Sequence, residues 1–491
     1  MAFLKNSLYM VGQGGIVRVF GFITTAVLSR ILGPADFGIY NLVSNTANSV
    51  YGLVRLGTDA AITVFASRHH EAGESRQQTG RMLGAGLILL LTSALGSSIV
   101  CLVFSAVIAG SIFKQPGLQP WIATAALFVL LQCLTQFLYC LLVGFQRFPQ
   151  YAKVMSANAA FGLTVTVPGT VVYGLVGAVI GLAVTQVFAL MTLYGVVRKT
   201  LAVERIQIQF SNFNVEARKI LNYGFPFYLS GLAIIPSVYY AQVLLAQGGG
   251  MEALGGLRVI GTMVALLSFV PGAIAPVILH RLSSVASGSR ESFLSTSYLL
   301  VKYYWIFAVI TGLLATLLAP IFIMYIFGEQ YSTYVPAAYL AIFSSMFTTM
   351  LGVASNAAFS TGRVILILKY TVLQAVTFSI AAVFLVPRYG LEAYFIAEII
   401  GQCAILVFLI TRRSIRGTIA RQLWFMPAVF VSMLYAVVVA VMTVEDGWIR
   451  SMTGCAGLLT ACALIYEYVF EQDERLKLAT AVYKTIAANR R

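Results

Sequence analysis

The chain has 491 residues, of which 59% are hydrophobic and 10% charged. Soluble domains carry roughly 25% charged residues, so a chain of this length, with a mean hydropathy of +0.88, has too little polar surface to stand in water. An all-α polytopic membrane protein is expected, with no room for a sizeable soluble domain. No Gly-x-x-x-x-Gly-Lys-Ser/Thr loop occurs, the six cysteines lie in apolar runs without a Cys-x-x-Cys pair, and there are three histidines. Neither ATP hydrolysis by that loop nor a metal or other cofactor is expected.

Apolar runs of membrane length recur about 14 times. They lie near residues 9–32, 40–66, 82–110, 120–143, 154–173, 176–197, 220–246, 257–280, 299–327, 336–360, 364–386, 391–411, 423–444 and 451–470. The first is too long for a cleavable signal and carries Arg18 near its middle, so it is expected to be span 1. Gly33-Pro34-Ala35-Asp36, Gly248-Gly249-Gly250 and Pro387-Arg388-Tyr389-Gly390 mark tight turns. Gly177-x-x-x-Gly181 in span 6 is a weak helix-packing motif.

Lys and Arg are distributed unevenly between the two sides. The side holding residue 5 carries most of them, including the runs Arg198–Lys199, Arg412–Arg413 and Arg490–Arg491. The other side carries Arg30, Lys114, Arg258, Arg388 and Arg450. By the positive-inside rule both termini face the cytoplasm. The net charge of +15 is then a topology signal and a contact with anionic membrane lipids, not a nucleic-acid surface.

A shift of about 216 residues brings the halves into register. Arg147 falls on Arg363, Lys153 on Lys369, Tyr173-Gly174-Leu175 on Tyr389-Gly390-Leu391, and Gln186 on Gln402. Gly33 falls on Gly249 and Asp36 on Glu252. The expected organisation is a lobe of spans 1–6 (residues 1–200), a lobe of spans 7–12 (214–415), spans 13–14 (422–470) and a cytoplasmic tail (471–491), with a central cavity between the lobes.

An Arg at the centre of a span costs about 2.5–3.5 kcal/mol on insertion scales, and two occur at matched depth: Arg18 in span 1 and Arg55 in span 2. Asn41, Asn45, Asn48, Gly52, Arg55 and Asp59 share one helical face. One interpretation is a hydrated cationic cavity that binds an anionic group through Arg18 and Arg55, lined by Asn45, Asn48 and Asp59. The other makes Arg55 and Asp59 a structural ion pair one turn apart. Glu398 in span 12, and Asp59, are candidate proton or sodium coupling sites; a buried neutral carboxyl is the alternative for Glu398. Gln132 with Gln136 in span 4, and Ser345, Thr349, Gly352 and Asn356 in span 10, form further polar faces that serve as cavity lining or as interhelical glue.

Leu28-Ser-Arg-Ile-Leu-Gly-Pro-Ala-Asp-Phe-Gly-Ile-Tyr40 and Gly52-Leu-Val-Arg-Leu-Gly-Thr-Asp-Ala-Ala60 resemble the first turn and second span of polysaccharide-unit flippases of the Wzx type. These share a superfamily with the lipid II flippase and the multidrug and toxin extrusion antiporters. The resemblance implies a non-enzymatic flippase of the bacterial inner membrane. Its substrate would be an undecaprenyl-pyrophosphate-linked oligosaccharide, moved to the periplasmic leaflet for O-antigen, capsule or exopolysaccharide synthesis. A polysaccharide polymerase and a chain-length regulator would be partners. The resemblance also implies that Arg18 and Arg55 belong to the cationic cavity. A flippase for lipid II or another polyprenyl lipid is the alternative, although span 8 has no deep Arg, only Arg258 at its outer end. A multidrug antiporter is the second alternative; it would favour an acidic cavity, and span 1 offers Arg18 without a carboxylate.

Overall fold

The computed structural model describes residues 2–72, 75–269, 290–360 and 364–411, together with 271–272, 274–275, 278 and 282. The expected spans 13–14 and the tail lie outside the described residues. Within them the long elements are helices: α1 (Ala2–Val54), α2 (Thr58–Ala72), α3 (Arg76–Val103), α4 (Gln119–Gly144), α5 (Phe148–Glu204), α6 (Phe213–Leu267), α7 (Arg290–Ile321), α8 (Val335–Ser360) and α9 (Val364–Thr411). No strand occurs among the described residues.

Among the described residues eight helices are long and apolar enough to cross a membrane. Four of these, within α1, α5, α6 and α9, are merged pairs divided at Gly33, Gly174, Gly250 and Gly390. α5 and α9 each hold two of the expected spans, and α1 and α6 each hold one with the first part of the next. The α5 pair shows how close the arms come. A methyl on Gly177 would overlap the Gly169 carbonyl, one on Gly181 would lie 2.6 Å from Thr166 Cα, and one on Gly162 would lie 3.1 Å from Thr185 Cγ2. These contacts run antiparallel about Gly174, so α5 is a hairpin closed by small residues, the usual means of bringing helix backbones together in lipid.

The dividing glycines carry the internal duplication in their backbone angles. Gly174 has φ 56°, ψ −136° and Gly390 has φ 63°, ψ −135°. Gly33 has φ 73°, ψ 174° and Gly250 has φ 68°, ψ −172°. Positive φ suits glycine, which has no Cβ to clash. The structural partner of Gly33 is therefore Gly250, one residue beyond the Gly249 expected from a uniform shift; a run of three glycines had hidden the register. The pattern extends further. A π-helical turn at Ile108–Ile112 is followed by positive-φ Lys114 and a 3₁₀ turn at Pro116–Leu118. A π-helical turn at Phe322–Phe327 is followed by positive-φ Gly328 and a 3₁₀ turn at Glu329–Tyr334. Arg30 donates to the carbonyls of Ile326 (2.9 Å) and Tyr325, and Gln247 donates to that of Ile112. Arg30 and Gln247 precede Gly33 and Gly250 by the same three residues, and each caps the carbonyl end of a π turn.

The described residues form two compact units. The first gathers residues up to 269 with 323–337 and 364–405; the second gathers the described parts of 270–322, 338–363 and 406–411. The core of the first is built from Val43, Leu83, Phe128, Phe137, Leu141 and Leu193 among others. In the second, Trp305 and Phe347 meet edge-on at 6.1 Å, and Gly312 seats Met346.

Candidate functional site

Span 2 does not run through Arg55 as one helix. α1 ends at Val54, Leu56 and Gly57 take positive φ (50° and 73°), and α2 begins at Thr58. The Thr58 amide and hydroxyl both bond the Arg55 carbonyl, at 2.8 Å and 2.6 Å, a side-chain-supported turn. The polar face expected to be continuous from Asn41 to Asp59 is therefore broken at Arg55. The break puts Asp59 in the first turn of α2, where a carboxylate is favoured by the helix dipole.

Arg55, Asp59 and Tyr51 come together there. Arg55 Nη1 lies 3.5 Å from Asp59 Oδ2, and the Tyr51 hydroxyl donates to the same oxygen at 2.5 Å. Asp59 Oδ1 is buried without a partner. The Arg55 side chain keeps 35% of its surface exposed against 18% for Asp59, so the cation is the reachable member of the pair. Gly231 leaves room for it: a methyl there would stand 3.4 Å from Arg55 Nη2.

Arg18 is held differently. It is exposed on α1, and its guanidinium carbon lies 4.6 Å from the centroid of the Phe269 ring, well inside cation–π range. Among the described residues no carboxylate pairs with it.

The asparagines face neighbouring helices. Asn41 donates to the Leu254 carbonyl at 3.3 Å. Asn45 donates to Gln242 Oε1 at 3.2 Å, and Gln242 in turn hydrogen-bonds Tyr394, one turn before Glu398 on α9. Asn48 accepts from Gln132 at 2.6 Å. The structure thus places Asp59 with Arg55, and Asn45 with Gln242. Tyr51, Phe269, Gln242 and Tyr394 were not singled out from the sequence. Tyr51 stands two turns before Asp59 and carried a usable signal; the other three are set by contacts far apart in the chain.

Membrane-length helices, four of them divided in pairs by glycines, define a multi-pass membrane protein. A family model described as "Polysaccharide biosynthesis protein" matches residues 3–284, and the chain belongs to that family. Its fold is shared by "Lipid II flippase MurJ, inward closed conformation", with a TM-score of 0.65, 12% identity and coverage of 94% of this chain and 98% of that one. The eukaryotic MATE transporter AtDTX14 aligns with a TM-score of 0.61 and 13% identity over 86% of this chain and 98% of its own. A MOP superfamily transporter from Pyrococcus furiosus, described by a reversed polarity of its binding pocket, aligns with a TM-score of 0.55 and 16% identity over 89% and 95%. No curated protein matches the sequence.

Proposed function

We propose that the protein flips undecaprenyl-pyrophosphate-linked oligosaccharide units from the cytoplasmic to the periplasmic leaflet of the bacterial inner membrane, for O-antigen, capsule or exopolysaccharide assembly. The observation that carries this is Arg18, a permanent cation within a membrane helix whose charge no carboxylate balances among the described residues. An uncompensated guanidinium at such depth is costly and suits a ligand that brings the negative charge with it. A pyrophosphate does so, and its oxygens match the guanidinium fork. Arg55 adds a second cation, with Asp59 as the counter-ion that a phosphate can displace. Membership of the polysaccharide family supports the oligosaccharide part of the substrate.

In this reading residues 1–200 and 214–415 are two lobes that rock about the cavity, both termini are cytoplasmic, and the product passes to a polymerase and a chain-length regulator. The chain moves its substrate and does no chemistry on it. Similarity to the lipid II flippase supports a polyprenyl pyrophosphate carrier in general, so lipid II is the second substrate to try. A cationic cavity disfavours cationic drugs.

The test is complementation of a deletion strain. Arg18→Ala and Arg55→Ala should abolish surface polysaccharide while the protein remains inserted and monodisperse in detergent. Wild-type polymer output from Arg18→Ala would refute the anion-site reading. Arg18→Lys should restore little, because a lysine lacks the planar fork.

A further inference from the structure

The two deep arginines differ in what holds them. Arg55 shares its charge with Asp59 at 3.5 Å. Arg18 rests on the Phe269 ring at 4.6 Å. An aromatic face attracts a guanidinium through its quadrupole. It carries no net charge, and a guanidinium lying flat on it keeps its in-plane N–H groups for other partners. The full positive charge and the five-donor fork therefore stay available to a ligand.

The chain builds this contact from both sides. α6 ends at Leu267, and the Ser268 amide closes it by bonding the carbonyls of Leu266 and Val264. Phe269 is the next residue out. On α1, Gly14 and Gly15 lie one turn before Arg18, on the face it shares. A methyl on Gly15 would stand 3.5 Å from Phe269 Cζ, and one on Gly14 would stand 3.7 Å from Cε2. The ring thus lies in contact range of bare backbone and under the guanidinium.

We propose that Phe269 is the positioning residue of Arg18: it fixes the plane of the guanidinium and turns the N–H edge toward the pyrophosphate of a polyprenyl-linked substrate, without neutralising the cation. This rests on the reading that Arg18 binds the anion. The ligand selected is one with adjacent anionic oxygens, and the arrangement gives a cationic amphiphile nothing to bind.

The test is a double-mutant cycle on the purified full-length protein, measuring binding of undecaprenyl pyrophosphate in detergent. Phe269→Leu should weaken binding about two- to thirty-fold, the range of a cation–π contact. Phe269→Tyr and Phe269→Trp should keep it. In the Arg18→Ala background Phe269→Leu should have no further effect, because the two residues act as one unit. If Phe269→Leu destabilises the fold, Phe269→Met replaces it in the cycle. Equal weakening in both backgrounds would make the ring a packing element and overturn the proposal. So would normal binding by Phe269→Leu while Arg18→Ala binds poorly, a result that leaves the function standing. Normal binding by Arg18→Ala would remove the anion site itself, and this proposal with it.

Discussion

Gly57 and Gly224 meet backbone to backbone: a methyl on either would overlap the other's carbonyl. They close one end of a seam that runs antiparallel along α1 and α6. Tyr228 donates to the Leu53 carbonyl at 2.7 Å, Gly52 seats Ile235, and Thr46 bonds Tyr239 at 2.9 Å. At the other end the contact is reciprocal. Gly38 lies against the Met251 carbonyl and Gly255 against the Pro34 carbonyl, as the duplicated turns require when they face each other across a local two-fold axis.

Alternating access needs the two ends of such a seam to part in turn. Gly224→Val should force apart the Gly57 end, and Gly38→Val the Gly33 end. Overpacking of this kind costs about 1–3 kcal/mol. Each variant should lower the melting temperature in detergent and raise maleimide reactivity at its own end, read from a cysteine at Leu53 or at Asn41. Both variants exposing the same cysteine would mean that the seam parts as a whole rather than end by end.

The turn glycines allow a cleaner stability measurement. A methyl on Gly174 or Gly390 would meet nothing within 4 Å, so Gly→Ala there changes only the backbone. Positive φ in an L-residue costs roughly 1–2 kcal/mol, and both variants should lose stability to that extent. Gly96→Ala, a helical position that also has open space, should be neutral or slightly stabilising. Leu56 is the converse case, with φ 50°, and Leu56→Gly should gain about 1 kcal/mol. Melting curves of the four variants check all of this. Equal melting temperatures for Gly174→Ala and Gly96→Ala would show that the turn relaxes around the added methyl.

The described membrane-length helices were legible because lipid leaves a long apolar run few alternatives to a helix, and the turns because glycine and proline punctuate them. The duplication was legible at Gly174 and Gly390, where one glycine stands alone. It was off by one at Gly250, where Gly248, Gly249 and Gly250 offered equal choices. The site was only half legible. Arg18 and Arg55 stand out by charge in an apolar background. What each one touches depends on a helix break at Leu56 and on Phe269, some 250 residues away in sequence from Arg18, and no local pattern encodes either. On the sequence alone the asparagine face of span 2 is expected to line the cavity. Asn45 and Asn48 bond Gln242 and Gln132, and such interhelical bonds are worth about 0.6 kcal/mol each.

Orientation is open to direct measurement. The proposed orientation, with both termini in the cytoplasm, makes the Gly248–Glu252 turn periplasmic. A cysteine at Gly249, in a background with the six native cysteines replaced, should react in intact cells with a membrane-impermeant maleimide. A cysteine at Ser75, which begins the basic turn before α3, should react only after permeabilisation. Labelling of Ser75→Cys in intact cells would invert the topology.

The driving force of the proposed reaction follows from the sign of the proposed cargo. A pyrophosphate is negative, and so is the cytoplasm relative to the outside, so outward movement is downhill. The gain is about 2.3 kcal/mol per charge per 100 mV if the charge crosses the whole field. That exceeds a tenfold shift for each charge. In the proposed mechanism Arg18 and Arg55 lower the cost of holding the anion in the low-dielectric interior and remain on their helices, and the potential supplies the direction. Glu398 then has a structural task. Tyr394, one turn before it on α9, hydrogen-bonds Gln242, the partner of Asn45, and a glutamine at position 398 keeps the size and polarity of the side chain without its charge. Flipping of undecaprenyl-pyrophosphate-linked oligosaccharide in reconstituted vesicles should therefore follow an imposed potassium diffusion potential without any proton or sodium gradient, and should survive Glu398→Gln. Ion coupling at Glu398 or Asp59 predicts the reverse: transport indifferent to the potential, dependent on a proton or sodium gradient, and lost in Glu398→Gln or Asp59→Asn. Asp59→Asn separates the remaining cases. It frees Arg55 from its counter-ion and should tighten anion binding in a potential-driven carrier, slowing release, whereas in a proton-coupled carrier it should uncouple flipping from the gradient.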